Sequence, residues 1–481
     1  MKPLILCALL ALAGCGTVGS DFVEPSAAVV APGDAWRNGV AAQNDTARLP
    51  AQWWTVFNDP TLNALQQRAV QGNAGVKASA QRLLQAQAQL GTLRAAQGPN
   101  INVGTSAANT RSSALTAQSL ALGGRAIEGD NYTIGASLAY ELDLWGRVKR
   151  VVEAADAQAL VTQHERDGFI LLLSAQVANT YWQLRGMDAE QTILKQALAA
   201  RLEAQQVVEA RFNGGLTNEL DVARTRIERA NAEADLHEVQ RQRNLLEHAL
   251  AVLVGVTPSS PLIAAAANPV LPQPPVIPVG LPASLLAQRP DLAASVAGLR
   301  AANANVAVAE GAFYPSLSLT GNFGFASESL SQLTNSGARQ FSIGPLALTL
   351  PLFDGGRNKA NLALSKARYG EALANHETRL LTALREVEDA LSDVQQRGKQ
   401  GDVQAQSQQA AARAVLVARA RHERGLSTYL DVTDAQRSSL AADRAAAQIH
   451  TQRLLAAVAV ARALGAGWTP QAPLATIASV K

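Results

Sequence analysis

The sequence predicts a mainly α-helical protein with a membrane β part, built as an internal duplication. Three observations carry this. The stretch Val208–Arg229, VEARFNGGLTNELDVARTRIER, returns as Val417–Ser438, VARARHERGLSTYLDVTDAQRS. Arg211 and Arg421, Gly215 and Gly425, and Asp221 and Asp431 share one offset, since 421 − 211 is 210, and self-similarity on that scale organises a chain before any local pattern does. Two runs almost free of breakers, Gly146–Phe212 and Gly355–Arg424, would each form a helix roughly 100 Å long at 1.5 Å per residue. Each half also carries a pair of segments that alternate in polarity with the period of a strand.

The 481 residues contain 4% aromatics and carry a formal charge of +3. Few aromatics suit long helices better than a large mixed core, and near-balanced charge gives no case for a nucleic-acid partner. Residues 1–14, MKPLILCALLALAG, read as a targeting signal: Lys2, the apolar stretch Leu4–Leu12, then small residues before Cys15. Cys7 would leave with that signal, so no disulfide is expected in the mature chain. No apolar run reaches the 18 residues that mark a helical membrane span.

Residues 15–58 are polar and weakly patterned and read as an N-terminal tether. Asp59-Pro60 opens a helix expected to run to about Gln97, where Gly98-Pro99 stops it. The strand pair of the first half is Asn100–Asn109 and Asn131–Trp145. In the second of these Tyr132, Ile134, Ala136, Leu138, Tyr140, Leu142 and Leu144 all fall on even positions. Pro315–Phe325 and Phe341–Phe353 form the second pair, with a register change expected around Pro345. The loops Arg111–Asp130 and Ala326–Arg339 are long and rich in Ser and Gly, as external barrel loops often are, and a soluble antiparallel sheet is the alternative that the pattern alone leaves open. Shorter helices are expected over Thr217–Val254, Leu281–Ala312 and Thr428–Leu464. Within the long helices Gly168, Gly186, Gly370, Gly398 and Gly401 each cost about 1 kcal/mol against Ala, and close helix approach or gentle bending accounts for them. Thr257–Pro282 holds eight of the twenty prolines and reads as an extended connector. The organisation expected is therefore leader 1–14, tether 15–58, first repeat 59–257, connector 258–280, second repeat 281–467 and tail 468–481.

No enzyme signature is legible. The six His (164, 237, 248, 376, 422, 450) form no metal-ligand spacing, there is no CxxC, and Gly123-Gly124-Arg125 and Gly355-Gly356-Arg357 make a weak case for phosphate. No cofactor is expected. Asp431 and Asp434 stand three apart, on adjacent parts of one helical face, and acids near a helix start also suit the helix dipole. Arg147, Lys149 and Arg150, echoed by Arg357 and Lys359, open helices against that dipole. Contact with phospholipid headgroups is one reason to place them there, and plain solvation is the other.

Several motifs occur in a fixed order: Trp53–Leu62 (WWTVFNDPTL), Glu141–Arg147 (ELDLWGR), Gln288–Asp291 (QRPD), Phe313–Leu317 (FYPSL) and Leu352–Arg357 (LFDGGR). With the two repeats, this series resembles the outer-membrane efflux protein family, most closely its lipidated OprM/NodT branch, related to TolC. Leu12-Ala13-Gly14-Cys15 likewise resembles the bacterial lipobox, which implies a covalent lipid on Cys15, with Gly16 favouring the outer membrane. The resemblance implies a homotrimer in which each protomer gives four strands to one twelve-stranded barrel, while the helices form a periplasmic α-barrel. It implies an inner-membrane RND-type pump and a periplasmic adaptor as partners, the adaptor docking near Arg211–Asn218 and Arg421–Thr428. Family members place a Leu/Asp constriction where Leu430 and Asp434 align, so Leu430, Asp431 and Asp434 are expected to form a periplasmic gate. Resemblance to TolC further implies that Asp221 helps to latch the gate. The Tyr and Arg that TolC uses as partners are here His422 and Ser427, and Arg224 replaces the first-repeat counterpart of Asp434. Two other readings remain, a channel for protein secretion and a structural lipoprotein without a pore. The paired strands argue against the second, because a pure coiled coil has no use for them.

Overall fold

The computed structural model describes residues 17–24, 36–38, 49–121, 123–264, 270–279 and 289–468. The leader 1–14, Cys15, residues 281–288 and nearly all of the tail 468–481 lie outside the described residues. The chain forms two compact units, and each takes segments from both repeats.

The first unit combines Met1–Glu24, Leu83–Thr162 and Ser295–Asn375. Its centre is a four-stranded antiparallel sheet of β1 (Asn100–Arg111), β2 (Glu128–Leu142), β3 (Ser316–Ser327) and β4 (Arg339–Thr349), in that spatial order. The two hairpins are stitched together by β2 and β3, so the sheet is continuous across the duplication. Aligned pairs run straight across it: Ile101, Leu138, Gly321 and Ile343, and then Val103, Ala136, Phe323 and Phe341. The rows between them are polar or small: Asn102, Ser137, Asn322 and Ser342, and then Gly104, Gly135, Gly324 and Gln340. Because successive side chains point to opposite faces, one face is mainly apolar and the other mainly polar or small, with Thr105, Ser327 and Arg339 as polar positions on the apolar face. The register shifts between Leu319 and Gly321, opposite Gly344-Pro345. Pro cannot donate to the ladder, so the strand accommodates it with a bulge.

Strand limits differ from expectation by a few residues. β2 stops at Leu142, not Trp145, because the chain is already turning into a helix. Leu144 N–H donates to the Leu142 carbonyl, the Asp143 carboxylate accepts the Lys149 N–H at 2.7 Å, and the Trp145 indole donates to the Pro315 carbonyl at 2.8 Å. β4 ends at Thr349, short of Phe353. The first interstrand loop contains a helical turn, Ala117–Ala121, and the second has two 3-10 turns.

The second unit combines Pro25–Arg82, Gln163–Ala294 and His376–Lys481. A 3-10 turn at Trp53–Phe57 drives Trp53 and Phe57 into a core with Leu62, Trp182, Leu250, Leu292, Val387 and Leu454. Asp59 caps α1 (Pro60–Gly72) by accepting the N–H groups of Thr61 and Leu62. Its other oxygen accepts the Tyr181 hydroxyl at 2.6 Å, and burial with that bond pushes the Tyr181 pKa up to about 12. The helix expected to continue to Gln97 breaks instead at Asn73, and α2 (Ala74–Ala95) begins anew. Asn73 turns its side-chain oxygen to the N–H groups of Gly75 and Val76 and donates its amide to the Leu253 carbonyl. The break lets Gly72 and Gly255 bring two backbones together where a Cβ on either would collide.

The remaining helices are α3 (Arg147–Asn213), α4 (Glu219–Val254), α5 (Pro290–Gly311), α6 (Arg357–Glu423) and α7 (Tyr429–Ala463). α3 and α6 are both 67 residues long, and their ends keep the offset of the repeat. Among the described residues α5 is long and apolar enough to cross a membrane. Its Leu292, Ala294, Leu299, Ala304 and Ala307 are buried, which marks it as a packed helix. Of the helical glycines, Gly186 lies against Thr451, where a Cβ would clash. Nothing lies near Gly370 or Gly398, so close approach does not account for those two.

Candidate functional site

Both copies of the repeat form the same tip. After α3, the Leu216 N–H returns to the Arg211 carbonyl at 2.8 Å and Gly215 takes φ +71°. After α6, Leu426 returns to Arg421 at 2.9 Å and Gly425 takes φ +71°. A left-handed glycine closing a helix in this way is the Schellman turn. The residue after that glycine commonly packs back on its helix. Here Leu216 and Leu426 are 74% and 66% exposed, so each turn presents a bare leucine.

The structure separates the roles of the two expected gate acids. Asp431 completes a capping box: its Oδ2 accepts the Thr428 N–H at 3.0 Å and the Thr428 hydroxyl at 3.1 Å. Asp434 is exposed one turn on, with Arg437 at 3.6 Å as an ion-pair partner. Leu430 directly precedes Asp431 and is 38% exposed.

The latch residues fall into two groups. Asp221 is held within its own repeat, accepting the Thr217 hydroxyl at 2.7 Å, with Arg224 at 3.8 Å. His422 instead lies 3.2 Å from the Ser427 carbonyl and edge-on to the Tyr429 ring. The Ser427 hydroxyl is buried with no partner. Within one protomer the structure brings His422 to the Ser427 carbonyl, while Asp221 bonds within its own repeat to Thr217, Asn218 and Arg224.

Sequence reasoning missed the charges that tie the two tips to each other. Glu228 on α4, buried to 7% exposure, accepts Arg437 from α7 and also pairs with Arg201 from α3 at 3.3 Å. Seven residues along both helices, Arg444 pairs with Asp235 at 3.0 Å and Glu190 at 2.7 Å. The signal was present: the opposite charges at 228 and 235 and at 437 and 444 share a heptad spacing, which places them on one face of each helix.

Two members of the basic cluster have internal partners. Arg147 forms a bidentate pair with Glu141 at 2.7 and 2.8 Å, and Arg150 is buried against Asp21 and Glu153. Internal carboxylates offset both cations where the helix dipole opposes them. Lys149, Arg357 and Lys359 are exposed.

The sheet is the second functional element. On its apolar face Ile101, Val103, Phe341, Ile343, Leu346 and Leu348 are all more than half exposed, and β1 and β4 each leave an unpaired edge. Edges of this kind invite pairing with another strand.

The profile of the outer membrane efflux protein family matches residues 65–256 and 281–466. The chain is 34% identical to outer membrane protein OprJ of Pseudomonas aeruginosa, over 95% of this chain and 94% of the relative. It is 30% identical to the solvent efflux pump outer membrane protein SrpC of Pseudomonas putida, over 97% and 98%. Its fold matches the CmeC outer membrane channel of Campylobacter jejuni with a TM-score of 0.87 at 25% identity, covering 94% of this chain and 96% of that one.

Proposed function

Because the chain belongs to the outer membrane efflux protein family, we propose that it is the outer-membrane channel of a tripartite efflux system, passively conducting small molecules delivered by an inner-membrane pump. The two-faced sheet carries this reading. An apolar face of exposed Ile, Phe and Leu suits lipid, and a face of Asn, Ser, Thr and Gly suits a water-filled lumen. Four strands with two free edges cannot close, since lone bacterial barrels start at about eight. Three copies give one twelve-stranded barrel without edges. The number three and the lipid on Cys15 come from the family resemblance, and the proposed assembly is a homotrimer in the outer membrane, with its helices in the periplasm and that lipid as anchor.

Leu216 and Leu426 offer six bare leucines per trimer, suited to the periplasmic adaptor. Leu430 and Asp434, with Asp431 behind them, narrow the tunnel, and acids gathered around a narrow opening favour cations. Asp221, His422 and Ser427 act as the latch only if a neighbouring protomer brings Asp221 to the other two. A pump, and not this chain, supplies both the energy and the choice of substrate. The relative SrpC is named for solvent efflux, and small apolar toxic compounds are the substrate class proposed here.

Deleting the gene tests the function. Cells without it should accumulate a lipophilic dye that wild-type cells expel, and the cloned gene should restore expulsion. Unchanged dye levels with loss of a secreted protein would establish the secretion reading in its place.

A further inference from the structure

Arg150 is an unusual residue to bury. Its side chain is 7% exposed, yet the guanidinium is not spent on a helix neighbour alone. One nitrogen donates to Glu153 at 2.8 Å. The others reach the segment after the leader: the Val18 carbonyl at 3.5 Å, the Gly19 carbonyl at 3.3 Å and the Asp21 carboxylate at 2.8 Å. Residues 18–21 take three of the four hydrogen bonds that Arg150 makes. The segment is therefore part of the site.

Independent contacts show that the segment is seated, not loosely tethered. Val18 N–H donates to the Trp145 carbonyl at 2.9 Å, and Asn303 of α5 donates to the Ser20 carbonyl at 3.1 Å. Gly19 adopts φ +89°, and a Cβ there would run into Ala307. Most of these bonds go to backbone carbonyls, so the grip recognises the path of the chain more than its side chains. It lies at the foot of the sheet, where Trp145 packs on Tyr314 with ring centres 5.3 Å apart. Aromatic pairs of this kind mark the membrane–water boundary of barrels. Two peptide units separate Thr17 from Cys15, roughly 7 Å at full extension.

We propose that Arg150 is the positioning residue for the acyl anchor on Cys15: by gripping residues 18–21 it fixes the point at which the lipid enters the membrane beside the foot of the sheet. Anchor and strands then meet the same leaflet in a set register, so a protomer arrives at the membrane with its sheet already oriented for pairing. The proposal rests on the lipid-anchor reading given above.

The test is a double-mutant cycle on full-length protein exported in cells. Four versions combine Arg150 or Arg150→Met with either the native leader and Cys15 or a cleavable secretory leader and Cys15→Ser. Pulse-chase labelling follows the rate at which new chains become heat-resistant oligomers in the membrane fraction. Arg150→Met is expected to slow assembly several-fold in the lipidated protein and to have no effect on the unlipidated one. Gly19→Val, which dislodges the segment without touching α3, should reproduce the slowing, and its failure to do so would overturn the proposal. Equal slowing with and without the lipid would show a merely structural arginine and overturn it too, as would no slowing in either. The mass of the mature N-terminal peptide separates the two layers. An unacylated Cys15 refutes the anchor reading itself, whereas an acylated Cys15 with equal slowing refutes the role of Arg150 alone.

Discussion

At the scale of single residues, Asp431 and Asp434 look alike in sequence and differ in the structure. Asp431 is bound to Thr428 as a helix cap, so Asp431→Ala should cost about 1 kcal/mol of helix stability, detected as a lower unfolding midpoint. Asp434 caps nothing, and Asp434→Ala should leave that midpoint within about 0.5 kcal/mol, as exposed substitutions do, while changing ion selectivity. The capping role was legible, because Thr428-x-x-Asp431 has the spacing of a capping box. The ion pair to Arg437 follows from the helical spacing only once Arg437 is known to face Glu228. His164 is a second residue-scale case. Burial pulls its pKa below the ordinary value, more than nearby Asp167 raises it. The unfolded chain therefore binds the proton more readily, so stability is full above about pH 6.5 and declines as pH falls from there towards the folded pKa. Replacing His164 with Phe keeps an aromatic edge against Trp468 and should flatten that decline, measured as thermal midpoints by circular dichroism across the same pH range.

Elements were readable wherever a periodicity ran long. The two breaker-free runs became 67-residue helices, and alternation located all four strands to within a few residues. Three features were not readable, each for a physical reason. The break at Asn73 depends on a carbonyl of α4 that the sequence cannot place there. The pairing of β2 with β3 joins segments almost two hundred residues apart and leaves no local trace. The grip on residues 18–21 joins the Asp21 carboxylate with two backbone carbonyls, and carbonyls have no sequence identity. The ladder between α4 and α7 gives an element-scale prediction. Glu228→Gln leaves Arg201 and Arg437 without their shared carboxylate, and should cost about 1–2 kcal/mol after discounting for the exposure of Arg437. Faster amide exchange confined to the tip of α7 would report it. Replacing both Leu216 and Leu426 with Ser should weaken chemical cross-linking to the periplasmic adaptor and leave oligomer assembly intact. Undiminished cross-linking would place the adaptor elsewhere.

For the whole molecule, the duplication explains how one chain supplies both a sheet and two matching tips. Each repeat contributes one hairpin to the sheet and one Schellman turn, and neither hairpin alone has enough strands to be stable in a membrane. The polar face of the sheet and the acids of the tip matter only if copies assemble into a closed pore. Single-channel recording of the purified mature protein in a planar bilayer, beside Asp434→Ala, tests this most directly. The account predicts small, cation-selective currents from the wild type that grow and lose selectivity in the variant. Folded oligomers that stay silent in both forms would contradict it.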